Sequence, residues 1–360
     1  MKYFFVSSFV IALSIQGCKK GTDTGQLPPN DSLTVHFATF GIESEGGNPN
    51  YWKNGTKIIL PTTGNGGDVF AISASTKLAA GRVYQGLGWH RYSPCYWSGS
   101  NRTDLPLLDP RGNGWLTAID YDGGDIFAAG NATDSLEFFG NSGWRNLPCY
   151  WHNGEITALE LLNGFGNGMA YAVAKAATDV YIAGESFADN GYNEPCVWSL
   201  GTTTSDFVPD QLSSFGYGGS INDIYLTNSD RYFAGYIFNT DGESVACYWH
   251  LGSRVDLSGQ DGQAKAICLK GLVACVAGKA RGVSSLVPCM WVNGVKTDLP
   301  DLGYGSEVLS IQTSASGDIY VGGWVSSNGT NTHPCYWKKG SYFITAVSIA
   351  FLRHFKLHFK

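Results

Sequence analysis

One short element recurs through the chain and constrains the fold more than any other feature. Tyr51-Trp52, Cys95-Tyr96-Trp97, Cys149-Tyr150-Trp151, Cys196-Val197-Trp198, Cys247-Tyr248-Trp249, Cys289-Met290-Trp291 and Cys335-Tyr336-Trp337 are seven copies of it. Successive tryptophans are 45, 54, 47, 51, 42 and 46 residues apart. Self-similarity at such a period means stacked supersecondary units that bury their faces against one another. Proline precedes the cysteine at Pro94, Pro148, Pro195, Pro288 and Pro334, and a glycine follows most of the tryptophans three residues later. Three of those glycines complete Asn54-Gly55, Asn153-Gly154 and Asn293-Gly294, the dipeptide that best marks a two-residue hairpin.

A second hairpin lies between successive tryptophans. Its second strand reads Asp125-Ile126-Phe127-Ala128-Ala129-Gly130 in one copy and Asp179-Val180-Tyr181-Ile182-Ala183-Gly184 in the next. Just upstream come Leu116 to Ile119, Ala170 to Val173, Ile221 to Ile224, Ala264 to Ile267 and Val308 to Ile311. A short outer strand follows each tryptophan turn, as at Thr103-Asp104-Leu105-Pro106. Glycine interrupts every candidate helix, so the unit holds four short strands. Four strands at this period make one blade of a β-propeller, and the all-β chain is expected to have seven blades. In Cys-Tyr-Trp the cysteine and tryptophan face one way and the tyrosine the other, as a sheet between two neighbours requires. The first copy lacks an innermost strand, whereas Ile344 to Ile349 is left over after the last. That segment is expected to close the ring by pairing the chain's ends in one blade, which removes free edges. The tail, with Phe355, Leu357 and Phe359 alternating with Lys356, His358 and Lys360, also has a strand's period.

The stretch Pro288-Cys289-Met290-Trp291-Val292-Asn293-Gly294-Val295-Lys296-Thr297-Asp298-Leu299-Pro300-Asp301-Leu302-Gly303 resembles the core of the extracellular HAF repeats. The later Gly317-Asp318-Ile319-Tyr320-Val321-Gly322-Gly323 is similar to that family's following positions. The resemblance implies an extracellular repeat propeller and carries no activity with it. Cysteine stands where those repeats usually have alanine or phenylalanine.

The N-terminus reads as an export address. Lys2 precedes the apolar run Tyr3 to Ile15, which is too short to span a bilayer and fits a cleaved signal. Ile15-Gln16-Gly17-Cys18 resembles the lipobox of bacterial lipoproteins. That resemblance implies a signal peptide over 1–17 and lipid attachment at Cys18; the polar stretch after it reads as a tether, over 18–32, and the repeats as a single propeller domain over 33–360. Several acyl chains on one cysteine make a stable anchor. Lys19 in place of an aspartate favours the outer membrane of the cell envelope.

Reactive chemistry is sparse. A net charge of −6 gives no electrostatic footprint for nucleic acid, so no such partner is expected. Six of the nine cysteines occupy equivalent sites on different blades. Packed sheets lie about 10 Å apart, beyond the reach of a disulfide or a shared metal. Cys268 and Cys275 flank the Lys270-Gly271 turn, where they either pair diagonally or pack as two small apolar residues. His152 and His250 follow repeat tryptophans and read as turn variants, while His354 and His358 fall on one face of the tail. Asp120, Asp122 and Asp125 surround two glycines but lack the remaining ligands of a calcium loop. No catalytic constellation, metal site or cofactor motif is expected.

Functional residues should lie where the repeat varies. Trp89, Arg91, Tyr92, Trp115, Trp144, Tyr192 and Trp324 are such residues, beside others at His90, Phe138, Phe139, Arg145, Tyr217 and Tyr304. Aromatics on loops of a rigid scaffold suit recognition. The chain therefore reads as a non-enzymatic, monomeric envelope lipoprotein that binds a glycan or protein through loops on one propeller face. The alternatives are a propeller-fold polysaccharide hydrolase or lyase, which requires carboxylates or a His-Tyr pair at the channel mouth, and an envelope assembly scaffold.

Overall fold

The computed structural model describes residues 33–39, 47–54, 56–62, 66–73, 77–86, 91–138, 141–164, 166–200, 208–212, 214, 216–283, 285–329, 332–338, 341–344 and 352–359. The expected signal peptide, Cys18, the tether, Trp89 and His90 lie outside them. Among the described residues there is no helix, and the strands form seven four-stranded antiparallel sheets. In the third sheet Gly114–Asp122 is innermost, followed by Asp125–Phe138, Asn141–His152 and the outer Glu155–Ala158. The other innermost strands are Gly67–Ser73, Gly168–Lys175, Gly219–Leu226, Gly262–Lys270 and Ser306–Thr313. They touch one another in succession, and Leu352–Phe359 stands between the last and the first. The protein is a closed seven-bladed β-propeller.

Closure does pair the two ends of the chain, but through a different segment from the one expected. Leu352–Phe359 runs antiparallel to Leu33–Thr39 as the innermost strand of the first blade, with Phe355 opposite Phe37. Ile344 instead ends the outer strand of the last blade, opposite Cys335, and 345–350 lie outside the described residues. Counting from the repeat misplaced the closing strand because the segment that closes the ring departs from the repeat.

The Cys-Tyr-Trp element packs as its alternation requires. Cys149 and Trp151 are buried against Ala71, Ala80 and Leu105 of the preceding blade, whereas Tyr150 is buried with Ala170, Cys196 and Trp198 of the next. Several of these tryptophans also latch across the interface. Trp97 Nε1 donates to the Pro61 carbonyl at 2.9 Å, Trp198 Nε1 to Glu160 at 2.7 Å, and Trp337 Nε1 to Pro300 at 2.8 Å. The accepting carbonyl follows a leucine (Leu60, Leu159, Leu299) whose own N–H donates to the carbonyl of the residue three before the third strand's tryptophan: Pro49, Pro148 and Pro288. The Pro-Cys-Tyr-Trp and Leu-Pro elements of the repeat are thus two halves of one interblade joint.

A second recurrent device shapes the channel. In each of the six blades after the first, the innermost strand carries a β-bulge opposite the glycine of its partner, as between Ala170 and Ala172 where Ala170 faces Gly184. A bulge leaves one residue unpaired and bends the strand. A Cβ on Gly184 would stand 1.9 Å from the Met169 carbonyl oxygen, and one on Gly130 would stand 2.1 Å from that of Trp115. The glycine that ends each Ala-Gly pair is therefore demanded by close backbone approach.

Among the described residues no cysteine forms a disulfide, and the six repeat cysteines are completely buried. Cys268 and Cys275 are not diagonal neighbours. They sit directly opposite each other in register, both buried, and a hydrogen bond from Cys268 holds the Cys275 thiol below its usual range.

Candidate functional site

The up-and-down order of strands sends two sets of connections to opposite faces. Those joining first to second and third to fourth strands are mostly tight turns, such as Asn153-Gly154, where both residues have positive φ. Those joining second to third strands, and each blade to the next, open on the other face, where the innermost strands begin. All six described residues expected to bind a ligand (Arg91, Tyr92, Trp115, Trp144, Tyr192 and Trp324) lie toward this second face.

They do not form one cluster. Arg91 Nη2 donates to the Pro110 carbonyl at 2.7 Å. Tyr92 packs edge-on against Trp115, with ring centroids 5.8 Å apart, and carries the Arg82 guanidinium 4.2 Å above its ring. Arg82 and Tyr84 both donate to Asp68 Oδ2 at 2.7 Å, so this carboxylate is committed to a buried network. Trp144 projects on an extended hairpin of the third blade, and Trp324 is half-buried in the last. His152 and His250 stack on Phe127 and Tyr232, beside Asp125 and Asp230, on the turn side. Asp120 accepts from the Lys175 N–H, and Asp125 from Asn153. Among the described residues no group of three or more His, Cys, Asp or Glu is placed to hold a metal.

Tyr192 is the residue around which a site forms. It rims a cleft of about 390 Å³ between the fourth and fifth blades, with Tyr217 across from it at 6.2 Å between ring centroids. Both rings are about half exposed. Phe187, Tyr236 and Phe238 supply further aromatic wall, and Glu185 and Asn193 supply the polar floor. The two rim loops are held by one carboxylate. Glu194, completely buried, accepts from Asn190 Nδ2 on the Tyr192 loop, and from Ser214 Oγ and Gly218 N on the Tyr217 loop. A carboxylate satisfied by several donors fixes its surroundings strongly.

Glu185 directly follows the bulge-facing Gly184. Asn193 Nδ2 donates to its carboxyl at 3.1 Å. Burial raises its pKa above the usual carboxylate range, against the opposing help of Ser220 and Asn193. Burial also pushes the Tyr236 hydroxyl up to about 12, with Glu185 adding to it, and raises Tyr171 through burial, Glu185 and Tyr236. Tyr171 in turn lines a cavity on the propeller axis. The cleft floor is therefore a buried carboxyl among three hydroxyl-bearing side chains. Such a floor favours hydrogen bonding to neutral polar groups over binding a charge.

No family model matches the sequence, and no curated protein matches it. Among solved structures, a thermostable family-43 glycoside hydrolase matches at 12% identity with a TM-score of 0.38, over 66% of this chain and 94% of that one.

Glu185, Glu194, Tyr171 and Tyr236 were not singled out from sequence, yet a signal existed. The position after the strand glycine reads Arg82, Asn131, Glu185, Tyr236, Lys279 and Trp324 from blade to blade. It is chemically diverse inside an otherwise regular strand, and two of its side chains, Glu185 and Tyr236, line the cleft.

Proposed function

We propose that this chain is a cell-envelope lipoprotein whose propeller binds a glycan in the Tyr192–Tyr217 cleft. The observation that carries the reading is the pairing of two half-exposed tyrosine rings with a polar floor of Glu185 and Asn193. Sugar rings present apolar faces that lie on aromatic side chains, and hydroxyls that suit amide and carboxyl groups. The HAF-type resemblance and the export signal fit a protein that meets polysaccharide outside the cytoplasm. Screening the protein on a glycan array, then titrating the hits by calorimetry, tests it. Tyr192→Ala and Tyr217→Ala should each weaken binding about tenfold, since an aromatic anchor in a cleft contributes on the order of 1–2 kcal/mol. An empty array removes the reading. Anchoring has its own test: Cys18→Ser should abolish palmitate labelling and release the protein from membranes.

A second reading, a polysaccharide hydrolase or lyase, is favoured by Glu185. A carboxyl whose pKa is raised by burial, beside tyrosine hydroxyls, has the kind of environment a general acid needs. Incubation with bound oligosaccharides should then generate new reducing ends or unsaturated products, and Glu185→Gln should abolish them. Unaltered oligosaccharide after prolonged incubation excludes it.

A further inference from the structure

We infer that the axial channel is a second, separate site, built to hold a short-chain aliphatic carboxylate with its head on Lys265 and its tail among the β-branched residues below. The cavity there measures about 260 Å³ and is lined by the innermost strands of six blades. At each bulge one residue stands at the same level: Phe70, Thr117, Tyr171, Asn222, Lys265 and Leu309. Two of these are committed to the next blade. Thr117 Oγ1 donates to the Ala170 carbonyl and Asn222 Nδ2 to that of Ala264, both at 2.7 Å. Lys265 is different, because its ammonium makes no hydrogen bond or ion pair among the described residues.

Lys265 is partly buried, and holding a cation partly withdrawn from water without a close partner costs free energy that an arriving anion offsets. Desolvation lowers the Lys265 pKa, Glu307 on the adjacent blade opposes that, and Lys279 adds to it. The carboxylate that does line the cavity, Asp223, accepts the Ile267 N–H at 2.9 Å. A second independent observation lies beside Lys265 on the seventh blade. Ser310 is 8% exposed and its Oγ has no partner, nor has Gln312 Oε1, and both residues line the cavity. A buried hydroxyl left unsatisfied on a cavity wall marks a place where a bound polar group belongs.

The level below selects the rest of the ligand. Ile72, Ile119, Val173, Ile224, Ile267 and Ile311 follow two residues after the bulge and close the cavity with an aliphatic ring. An inorganic anion would find its charge matched at Lys265 but nothing for the apolar surface. A carboxylate with a short alkyl chain uses both.

The experiment is calorimetric titration of the full mature chain with sodium butanoate at fixed ionic strength, with sodium phosphate, 1-butanol and n-butylammonium as parallel probes. Saturable binding of butanoate alone is expected. Lys265→Met should weaken it at least about tenfold, the scale of one charge-assisted contact in a buried site. Ser310→Ala, which removes one oxygen and leaves the packing, should weaken it several-fold. Tyr192→Ala should leave butanoate binding unchanged, which separates this site from the proposed glycan cleft. Equal affinity in Lys265→Met and the native chain overturns the proposal. So does phosphate or n-butylammonium binding as tightly as butanoate, or no saturable heat up to about 10 mM.

Discussion

Trp151 Nε1 donates to the carbonyl oxygen of Pro106 at 3.0 Å, joining the third blade to the second. The same joint recurs at Trp97, Trp198 and Trp337, but Trp291 Nε1 is buried with no acceptor. This contrast separates the hydrogen bond from the packing of the ring. Trp151→Phe loses both and leaves a carbonyl without its donor, whereas Trp291→Phe loses packing alone. Urea unfolding should show Trp151→Phe more destabilising than Trp291→Phe by about 1 kcal/mol. Equal losses would mean that the indole bond contributes nothing net.

The bulge glycines make a sharper demand. A methyl on Gly184 meets the Met169 carbonyl at 1.9 Å, a backbone atom that cannot move aside. Gly184→Ala should cost more than about 3 kcal/mol or prevent folding, as overpacking against backbone does. Gly259→Ala, with open space around its Cβ and no positive φ, is the matched control and should stay within about 0.5 kcal/mol of the native chain. Thermal melts of the two variants decide it.

How much of this was legible in the sequence follows from which positions repeat. The tryptophan recurs in every blade, and its cysteine and the strand glycine recur in the six blades after the first, so their recurrence exposed the propeller and the blade count. Leu352–Phe359 was misjudged because, alone among innermost strands, it pairs with the far end of the chain, and its bulge lies opposite Ala38 and Thr39 rather than a glycine. The cleft was half legible. Tyr192 and Tyr217 stood out as irregular loop aromatics, but nothing linear says that two loops 25 residues apart meet, since Glu194 joins them only in the folded chain. Glu185 was hidden by its setting in a regular strand.

Glu194 is accordingly predicted to be a positioning residue for the rim. Glu194→Ala leaves Asn190, Ser214 and the Gly218 N–H without their acceptor, at a cost of about 2–4 kcal/mol. Hydrogen exchange should quicken in 188–192 and 214–218 while the distant blades keep their protection. Uniform loss of protection across the propeller would instead make Glu194 a global stabiliser.

Glu185 makes stability depend on pH in a stated direction. Burial raises its folded-state pKa, so the folded chain holds the proton more tightly than the unfolded one. Its contribution is complete below the unfolded value of about 4.3 and is lost as pH rises through the folded one. Glu185→Gln keeps an acceptor for Asn193 and removes the ionisation. The variant should melt higher than the native chain at pH 7, and the gain should shrink toward pH 4. Calorimetric melts across that range check it, and a gain that widens at low pH contradicts the assignment.

Ring closure rests on the antiparallel pairing of Leu33–Thr39 with Leu352–Phe359. Without the last strand, the first blade loses its innermost member. The innermost strands of the second and seventh blades, which both touch it, then face an open gap. Truncation after Ile344 leaves all seven outer strands intact and removes only this closure. Open edges and an unfilled interface should together lower the melting temperature by more than about 10 °C and promote association between chains. Restoring the missing segment as a separate peptide should recover part of the loss, because the strand pairs through backbone bonds that need no covalent link. A truncated chain that melts with the native one, and gains nothing from the peptide, would show that the ring holds without its terminal strand.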